Sequence, residues 1–222
     1  HTVNVFLFYL FIRNIFRTYT PAVLATLLFL SHPLLTETVN AVCYREDILA
    51  SIFFLLAFVY FIKIRIPFSG RGNLTQQTHT RLVLYYTVSC GSYCLALYSK
   101  EMAITLPILL VLFDLLSIPQ NKNKALFTIT TFVRVQRWIL FYSGYIVVTG
   151  FYLFIRFVAF KNTFKIIDVY PTNIFTMTKV VASYLKLLFI PLNLNADYYI
   201  PDIRGISLSF ILSSLFIVSA CI

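Results

Sequence analysis

Charged residues are scarce in this sequence of 222 residues, and acidic residues are the scarcest of them. Asp, Glu, Lys and Arg together make up 12% of the chain, with only eight acids, whereas apolar residues make up 59%. A soluble globular domain is about a quarter charged and roughly half apolar. The composition therefore excludes a soluble globular protein and predicts an integral membrane protein. The abundance of Phe and Tyr is typical of membrane helices that end in aromatic belts.

The four cysteines include no CxxC pair, which argues against the common zinc and redox motifs. Cys90 and Cys94 lie four residues apart and share a helical face, but no His or acidic residue accompanies them. Small apolar packing in a membrane helix explains these cysteines better than metal binding does.

A net charge of +10 raises the question of a nucleic-acid partner. The basic residues come singly or in pairs, and none forms a dense stripe with interleaved aromatic residues. In so apolar a chain the positive charge is better explained as a signal for membrane topology, and we predict no nucleic-acid partner.

Apolar runs between charged turns predict seven membrane segments in a polytopic, all-α transmembrane helical bundle. The seven segments are Val3–Phe16, Pro21–Leu30, Ile48–Ile64, Leu82–Tyr98, Met102–Leu116, Trp138–Phe157 and Ile206–Ile222. The chain starts and stops inside apolar runs, so we expect a single transmembrane domain over residues 1–222 that is incomplete at both ends.

An eighth segment, Thr176–Ile190, has a different pattern. Lys179, Ser183 and Lys186 recur along one helical face, and Pro191 stops the run. The pattern predicts an amphipathic helix that lies in the membrane interface, or that enters the membrane and returns. If it does not span, the turn that follows returns to the outward surface.

The basic residues fall mainly in alternate turns, which predicts the orientation of the chain. Three alternate turns hold ten of the eighteen basic residues: Arg13, Arg17, Lys63, Arg65, Arg71, Arg81, Lys122, Lys124, Arg134 and Arg137. The two turns between them hold only Arg45 and Lys100. By the positive-inside rule the first set is cytoplasmic. Only Asp114 among the acids falls on that side.

The first outward turn, SHPLLTETVNAVCYREDILA, contains an unusual group of charges. If residues 36–50 form one helix, Glu37, Arg45 and Asp47 line up along one side. Arg45 and Asp47 can be ordinary interfacial anchors, with Glu37 at a helix N-terminus that favours negative charge. Because charge near a membrane is costly, the whole cluster favours a functional site.

The second outward turn, Tyr98 to Pro107, places Lys100 and Glu101 between two apolar runs with almost no loop. The two helices form either a close hairpin or one bent helix. Lys100 and Glu101 then either form an ion pair that caps the turn or bind a ligand. In the second case Lys100 neutralises an anion while Glu101 orients it or a metal ion.

Three segments, in this order, resemble a known family. HPLLTETVNAVCYREDILASIFFLLAF, YSKEMAITLPILLVLFDLL and YLKLLFIPLNLNADYYIP are similar to motifs of the transmembrane O-mannosyltransferases that carry tetratricopeptide repeats, and of their prokaryotic relatives. The opening HTVNVFLF is similar to a stretch that precedes these motifs. The resemblance covers about residues 1–205. The sequence departs from the family pattern at Thr38, where Ala is usual, and at Tyr44 and Glu46.

The resemblance implies a GT-C fold and an integral membrane glycosyltransferase. Such an enzyme transfers a sugar, expected to be mannose, from a polyprenyl-phosphate donor to Ser or Thr of a protein acceptor on the lumenal or outer face. By position it implies supporting catalytic roles for Glu37, Asp47 and Glu101. It implies substrate-binding roles for His32, Arg45, Lys100, Asp197 and Tyr198. The principal base is expected before His1, and the tetratricopeptide repeats after Ile222.

We expect that a divalent cation, Mg²⁺ or Mn²⁺, assists the chemistry, and that membrane lipid, the sugar donor and the protein acceptor are the partners. The expected location is the endoplasmic reticulum membrane in a eukaryote, or the inner or plasma membrane in a prokaryote. A non-catalytic assembly subunit with the same helical bundle is the alternative. A transporter is disfavoured because the acids lie at the surface and no inverted repeat is visible.

Overall fold

A computed structural model describes residues 1–68, 76–117, 127–159, 171–192 and 194. In this part of the chain the regular structure is helical throughout, which confirms the all-α prediction. The α-helices are α1 (Thr2–Phe16), α2 (Tyr19–Ser31), α3 (Leu35–Asn40), α4 (Arg45–Phe68), α5 (Gln76–Ser99), α6 (Leu106–Leu116), α7 (Phe127–Phe154) and α8 (Pro171–Phe189). Two 3₁₀ turns, Val42–Tyr44 and Glu101–Thr105, precede α4 and α6, and a π-helical turn, Ile155–Ala159, follows α7.

The chain divides into two compact units. The first comprises His1–Ser31 and Ala41–Asn162 and contains α1, α2 and α4 to α7; the second comprises His32–Asn40 and Thr163–Ile222 and contains α3 and α8. The single transmembrane domain over residues 1–222 stays a prediction. The predicted segment Ile206–Ile222 lies outside the described residues.

The condition under which Glu37, Arg45 and Asp47 would line up, one helix across residues 36–50, is not met. Helix α3 ends at Asn40, and Ala41 is extended, with φ −86° and ψ 127°. The residues before the break, Thr36 to Asn40, include two Thr, a Val and an Asn, all weak helix formers. Asn in particular competes with the helix for backbone hydrogen bonds. Glu37 and Asp47 therefore lie on separate helices rather than on one face.

Antiparallel packing of α4 and α5 organises the first unit. The hydroxyl of Ser89 donates a hydrogen bond of 2.6 Å to the carbonyl oxygen of Ala57. The rings of Tyr60, one turn after Ala57 on α4, and Tyr85, one turn before Ser89 on α5, lie 5.5 Å apart. Residues later in α4 thus contact residues earlier in α5, so the two helices are antiparallel and form a helical hairpin. The hairpin is confirmed at its other end by contact between Lys100 and the start of α4.

The remaining helices of the first unit alternate in direction. Asn4, at the start of α1, donates a 3.1 Å hydrogen bond to the carbonyl oxygen of Ile48, so α1 runs parallel to α4. Arg65 near the end of α4 meets Asp114 near the end of α6, so these helices are parallel too. We call the end that carries Lys100 the Lys100 end, and the opposite end, which carries Arg13, the Arg13 end. The hairpin alternative for α5 and α6 is therefore confirmed.

Buried tyrosines join α7 to the hairpin. The Tyr145 hydroxyl lies 2.6 Å from the Ser89 hydroxyl, and the residue is fully buried. Since Ser89 gives its single proton to Ala57, Tyr145 is the donor in this contact. The Tyr93 hydroxyl lies 2.7 Å from the Thr149 hydroxyl one turn away. Each buried hydroxyl thus has a partner, as burial requires.

Three helical segments among the described residues are long and apolar enough to cross a membrane. They are Val42–Arg65, Thr80–Ser99 and Phe141–Val158, with mean hydropathies of 2.2, 1.2 and 1.4. Only 11% of the last segment is buried within the protein. Apolar exposure on that scale is unfavourable in water and suits contact with lipid. The chain is accordingly a membrane protein.

Helix α8 confirms the predicted amphipathic segment. It ends at Phe189, two residues before Pro191, because proline disfavours the helical conformation in the residue that precedes it. Lys179 and Ser183 are half-buried and Lys186 is exposed, while Ala182 and Leu187 are buried. Its position in the membrane interface stays a prediction.

Gly144 marks the closest approach of α7 to α5, and it provides a test of this packing. A Cβ atom added there would clash with the Tyr86 hydroxyl and lie 3.0 Å from the Cys90 sulfur, whereas one added at Gly150 would meet nothing within 4 Å. Gly144→Ala is therefore expected to lower the free energy of unfolding in detergent by about 1–3 kcal/mol. Gly150→Ala, the matched control, is expected to raise it by up to about 1 kcal/mol. Equal effects of the two changes would contradict the packing.

Candidate functional site

Lys100 binds the acidic first turn of α4. Its ammonium forms ion pairs with Asp47 and, at 3.5 Å, with Glu46. The hydrogen bond to the Asp47 carboxylate, with a further contribution from Glu46, raises the pKa of Lys100 above its ordinary value. Lys100 therefore stays a cation at all physiological pH values. The side chains of Lys100 and Asp47 are each 31% exposed, so the pair remains open to solvent.

Glu101 pairs with a different part of the protein from Lys100, its neighbour in sequence. Its carboxylate forms an ion pair with Arg156, in the π-helical turn after α7. Arg156 also donates a 2.7 Å hydrogen bond to the Tyr152 hydroxyl. The Tyr152 ring meets Tyr98 edge-on, with ring centroids 5.8 Å apart, and so connects α7 to the end of α5.

The backbone at Lys100 explains why the two neighbours diverge. Lys100 is extended, with φ −154° and ψ 132°, and Glu101 begins a 3₁₀ turn. Side chains at successive positions of an extended backbone point to opposite sides. Lys100 consequently faces α4 while Glu101 faces α7. The junction between α5 and α6 holds two adjoining ion pairs.

The Lys100 end carries balanced charge. Among the described residues it brings together three carboxylates and three cations: Glu46, Asp47, Glu101, Arg45, Lys100 and Arg156. Arg45 is the exposed first residue of α4, and none of the ion pairs among the described side chains includes it. Because partly exposed ion pairs contribute only about 0–1 kcal/mol, a charged ligand can replace either pair at little cost.

The predicted site residues are distributed as follows. Asp47, Lys100 and Glu101 lie together at the Lys100 end, with Arg45 on the same first turn of α4 as Asp47. Glu37 lies in α3, and its side chain is outside the described atoms. Asp197 and Tyr198 lie outside the described residues.

His32 has a bonded position in the second unit. Its Nδ1 accepts a hydrogen bond of 3.2 Å from the Leu34 amide, which leaves the proton on Nε2. Nε2 lies 2.9 Å from the carbonyl oxygen of Leu188 and donates to it. This bond satisfies one of the last carbonyls of α8. The contact ties the turn before α3 to the end of α8, and substrate binding by His32 stays a prediction.

The described residues contain no group of three or more His, Cys, Asp or Glu side chains that could hold a metal ion. Glu46 and Asp47 are adjacent carboxylates, but both form ion pairs with the Lys100 ammonium. Hard divalent cations need several oxygen ligands. This part of the chain thus does not fit the expected Mg²⁺ or Mn²⁺ by itself.

Arg156 and Tyr152 were not foreseen from the sequence. Both lie inside the apolar run predicted as Trp138–Phe157, where an arginine is costly unless it has a partner. That cost was a usable signal, because an Arg at the end of such a run needs an acid or a polar group nearby. Glu46 has no role predicted from the sequence either, although it forms an ion pair with Lys100.

A second charged group lies towards the Arg13 end. Arg65 donates two hydrogen bonds to the Asp114 carboxylate, the one from Nε measuring 2.7 Å. The Tyr142 hydroxyl donates a third, also of 2.7 Å. Asp114 is only 5% exposed. Because opening a buried pair is far more costly than opening an exposed one, this group holds α4, α6 and α7 together.

The sequence is similar to a mouse protein, protein O-mannosyl-transferase TMTC4, with 37% identity over 97 residues. The matched region covers 44% of this chain and 12% of the mouse protein. No family model matches the chain, and no solved structure matches it. The similarity supports a glycosyltransferase-like function and leaves the donor and the acceptor open.

Proposed function

We propose that this chain is part of a multi-pass membrane glycosyltransferase. It transfers a sugar, mannose, from a polyprenyl-phosphate donor to Ser or Thr of a protein acceptor. The observation that carries the proposal is the Lys100 end, where cations and carboxylates from three separate segments adjoin. The partial similarity to a mouse O-mannosyl-transferase agrees with it.

The cations at the Lys100 end have the chemistry that the donor requires. Release of a lipid phosphate develops negative charge on the leaving group, and nearby cations stabilise it. Lys100 and Arg156 would bind this phosphate, displacing Asp47 and Glu101 from their ion pairs. Arg45, exposed on the same end, would bind it from the side of α4.

The carboxylates released by this exchange would then face the acceptor. A carboxylate within hydrogen-bond reach of a hydroxyl orients it and withdraws its proton. Asp47 and Glu101 would position the acceptor hydroxyl by accepting a hydrogen bond from it. A supporting role for Glu37 remains a prediction. The principal base, a divalent cation, and binding roles for His32, Asp197 and Tyr198 remain predictions, and no step is assigned to them. The membrane is that of the endoplasmic reticulum in a eukaryote, or the inner or plasma membrane in a prokaryote.

Lys100→Ala in the full-length protein is expected to lower sugar transfer by about 10- to 100-fold. The range corresponds to a lost hydrogen bond between charged groups, worth about 1.5–3 kcal/mol. The measurement is incorporation of tritiated mannose from polyprenyl-phosphate mannose into protein, released by β-elimination. Purified membranes with equal amounts of each variant supply the enzyme.

Arg81→Ala is the matched control, because Arg81 is an exposed cation of the first unit that lies near the start of α5. It is expected to leave transfer within about twofold of the unchanged protein. Transfer by Lys100→Ala equal to that of Arg81→Ala would overturn the proposed role of Lys100.

A non-catalytic assembly subunit is the second candidate, and one observation favours it. Lys100 and Arg156 each form an ion pair with a carboxylate of the chain itself. In a purely structural protein these pairs would serve only to join α5 and α6 to α4 and α7. Under that function Lys100→Ala would lower stability slightly and would have no transfer activity to lower.

A further inference from the structure

An open pocket of about 530 Å³ lies at the Arg13 end of the first unit. The end of α1, the start of α2 and the last part of α4 surround it. The residues that line it are Leu10, Arg13, Asn14, Arg17, Thr18, Tyr19 and Lys63. Three of these are cations, three are neutral polar groups, and none is acidic.

The three cations of this basic pocket are not neutralised by any described carboxylate. Arg13 lies over the Tyr19 ring at 4.9 Å and donates a long hydrogen bond of 3.4 Å to its hydroxyl. Lys63 lies over the Tyr60 ring at 4.9 Å. Aromatic faces attract a cation but do not cancel its charge. The positive field of the pocket is therefore available to an anion.

The folding of the chain brings these three cations together from two separate helices. Arg13 and Arg17 follow one another at a helix end, where the dipole favours cations. Lys63 comes from α4, some fifty residues later in the chain. A topology signal would be satisfied by cations anywhere on this side of the membrane. It does not require two helices to bring three of them around one pocket.

The basic pocket is distinct from the proposed transferase site. Asp47, in that site, and Lys63, in the pocket, lie sixteen residues apart on α4, which corresponds to roughly 24 Å along the helix. The pocket also adjoins apolar surface, since Phe16 and Tyr19 beside it are 58% and 65% exposed. Aromatic side chains in such positions are typical of the membrane interface.

We propose that the basic pocket binds a phosphate group, with Arg13, Arg17 and Lys63 as its cationic ligands. Guanidinium groups match the geometry of phosphate oxygens, and Asn14 and Thr18 supply neutral hydrogen-bond donors beside them. The phosphate comes either from the headgroup of an anionic phospholipid or from a soluble phosphate compound. The proposal is independent of the transferase function.

The test uses the full-length protein in nanodiscs of neutral phosphatidylcholine, either alone or with about one lipid in ten replaced by phosphatidylinositol phosphate. Native mass spectrometry counts the anionic lipids retained, and inorganic phosphate is added as the soluble competitor. Arg17→Gln and the triple variant Arg13→Gln/Arg17→Gln/Lys63→Gln are expected to reduce retention by about 10-fold or more. Arg17 is exposed, so its single variant keeps the test valid if the triple variant does not fold.

Arg81→Gln serves as the control, since Arg81 is an exposed cation of the same unit that does not line the pocket. Retention lost in the pocket variants but kept in Arg81→Gln, and unaffected by inorganic phosphate, assigns the pocket to a lipid headgroup. Displacement of the lipid by millimolar inorganic phosphate assigns it to a soluble phosphate compound. Equal retention by Arg17→Gln and Arg81→Gln, or no preference for the anionic lipid, would overturn the proposal.

Discussion

Asp114→Ala is expected to lower the free energy of unfolding by about 3–5 kcal/mol, which is among the largest effects of any single change in this chain. The substitution removes the carboxylate to which Arg65 and Tyr142 donate three hydrogen bonds. A guanidinium whose side chain is only 20% exposed then keeps its charge but loses the group that compensates it. Unfolding by denaturant in detergent micelles, followed by circular dichroism, measures the effect.

A double variant separates the charge from the packing. Arg65→Met/Asp114→Leu removes both charges and keeps the volume, so it is expected to recover most of the stability lost in Asp114→Ala. Asp114→Asn, which keeps an acceptor for Tyr142, is expected to fall between the two. An exposed ion pair contributes about 1 kcal/mol at most. If the free energy of unfolding of Asp114→Ala lies within about 1 kcal/mol of that of the unchanged protein, the buried group does not hold these helices together.

Apolar runs were sufficient to locate the helices of the first unit, because a helix in a membrane must satisfy its backbone polar groups internally and expose apolar side chains. The run Ile48–Ile64 predicted a helix there, and α4 extends it to Arg45–Phe68. The charged residues at its two ends continue the helix, since Glu46 and Asp47 suit an N-terminus and Arg65 suits a C-terminus. An apolar run shows which part of a helix contacts lipid. The ends of the helix depend instead on capping and on backbone preferences.

The break at Ala41 shows what periodicity leaves out. The spacing of Glu37, Arg45 and Asp47 is compatible with one helical face, but spacing does not report whether the helix is continuous. Weak helix formers before the break, followed by a 3₁₀ turn, place Glu37 in a different helix from the other two. Low local helix propensity therefore prevents the alignment of Glu37 with Arg45 and Asp47 that the spacing allows.

The charged residues of the candidate site were predicted, but half of their partners were not. Lys100 and Glu101 are neighbours in sequence, which favours a local pair, yet they bind Asp47 and Arg156. Arg156 becomes a partner only because α7 runs parallel to α5, some fifty-five residues later. The spacing of residues within one helix does not indicate which other helix packs beside it. The cost of an arginine in an apolar run was the one signal available.

Exchanging the charges of Lys100 and Asp47 separates the two candidate functions. The double variant Lys100→Asp/Asp47→Lys is expected to change the free energy of unfolding by no more than about 1 kcal/mol, because the ion pair is kept with its polarity reversed. Sugar transfer is expected to fall by about 100-fold or more, because a carboxylate then occupies the position proposed to bind the phosphate. The same β-elimination assay and detergent unfolding measure the two quantities.

The structural function predicts the same stability for this variant and no dependence of sugar transfer on the polarity of the pair. A pair whose only purpose is to join α5 to α4 works equally well in either polarity, apart from a small penalty for a lysine in the first turn of α4. The single variant Lys100→Asp, which places a third carboxylate beside Glu46 and Asp47, is expected to be less stable than the double variant under either function. Transfer retained in the stable double variant would therefore remove Lys100 from the catalytic chemistry, whereas transfer lost at unchanged stability shows that the reaction depends on the charges at positions 47 and 100 and not only on the ion pair.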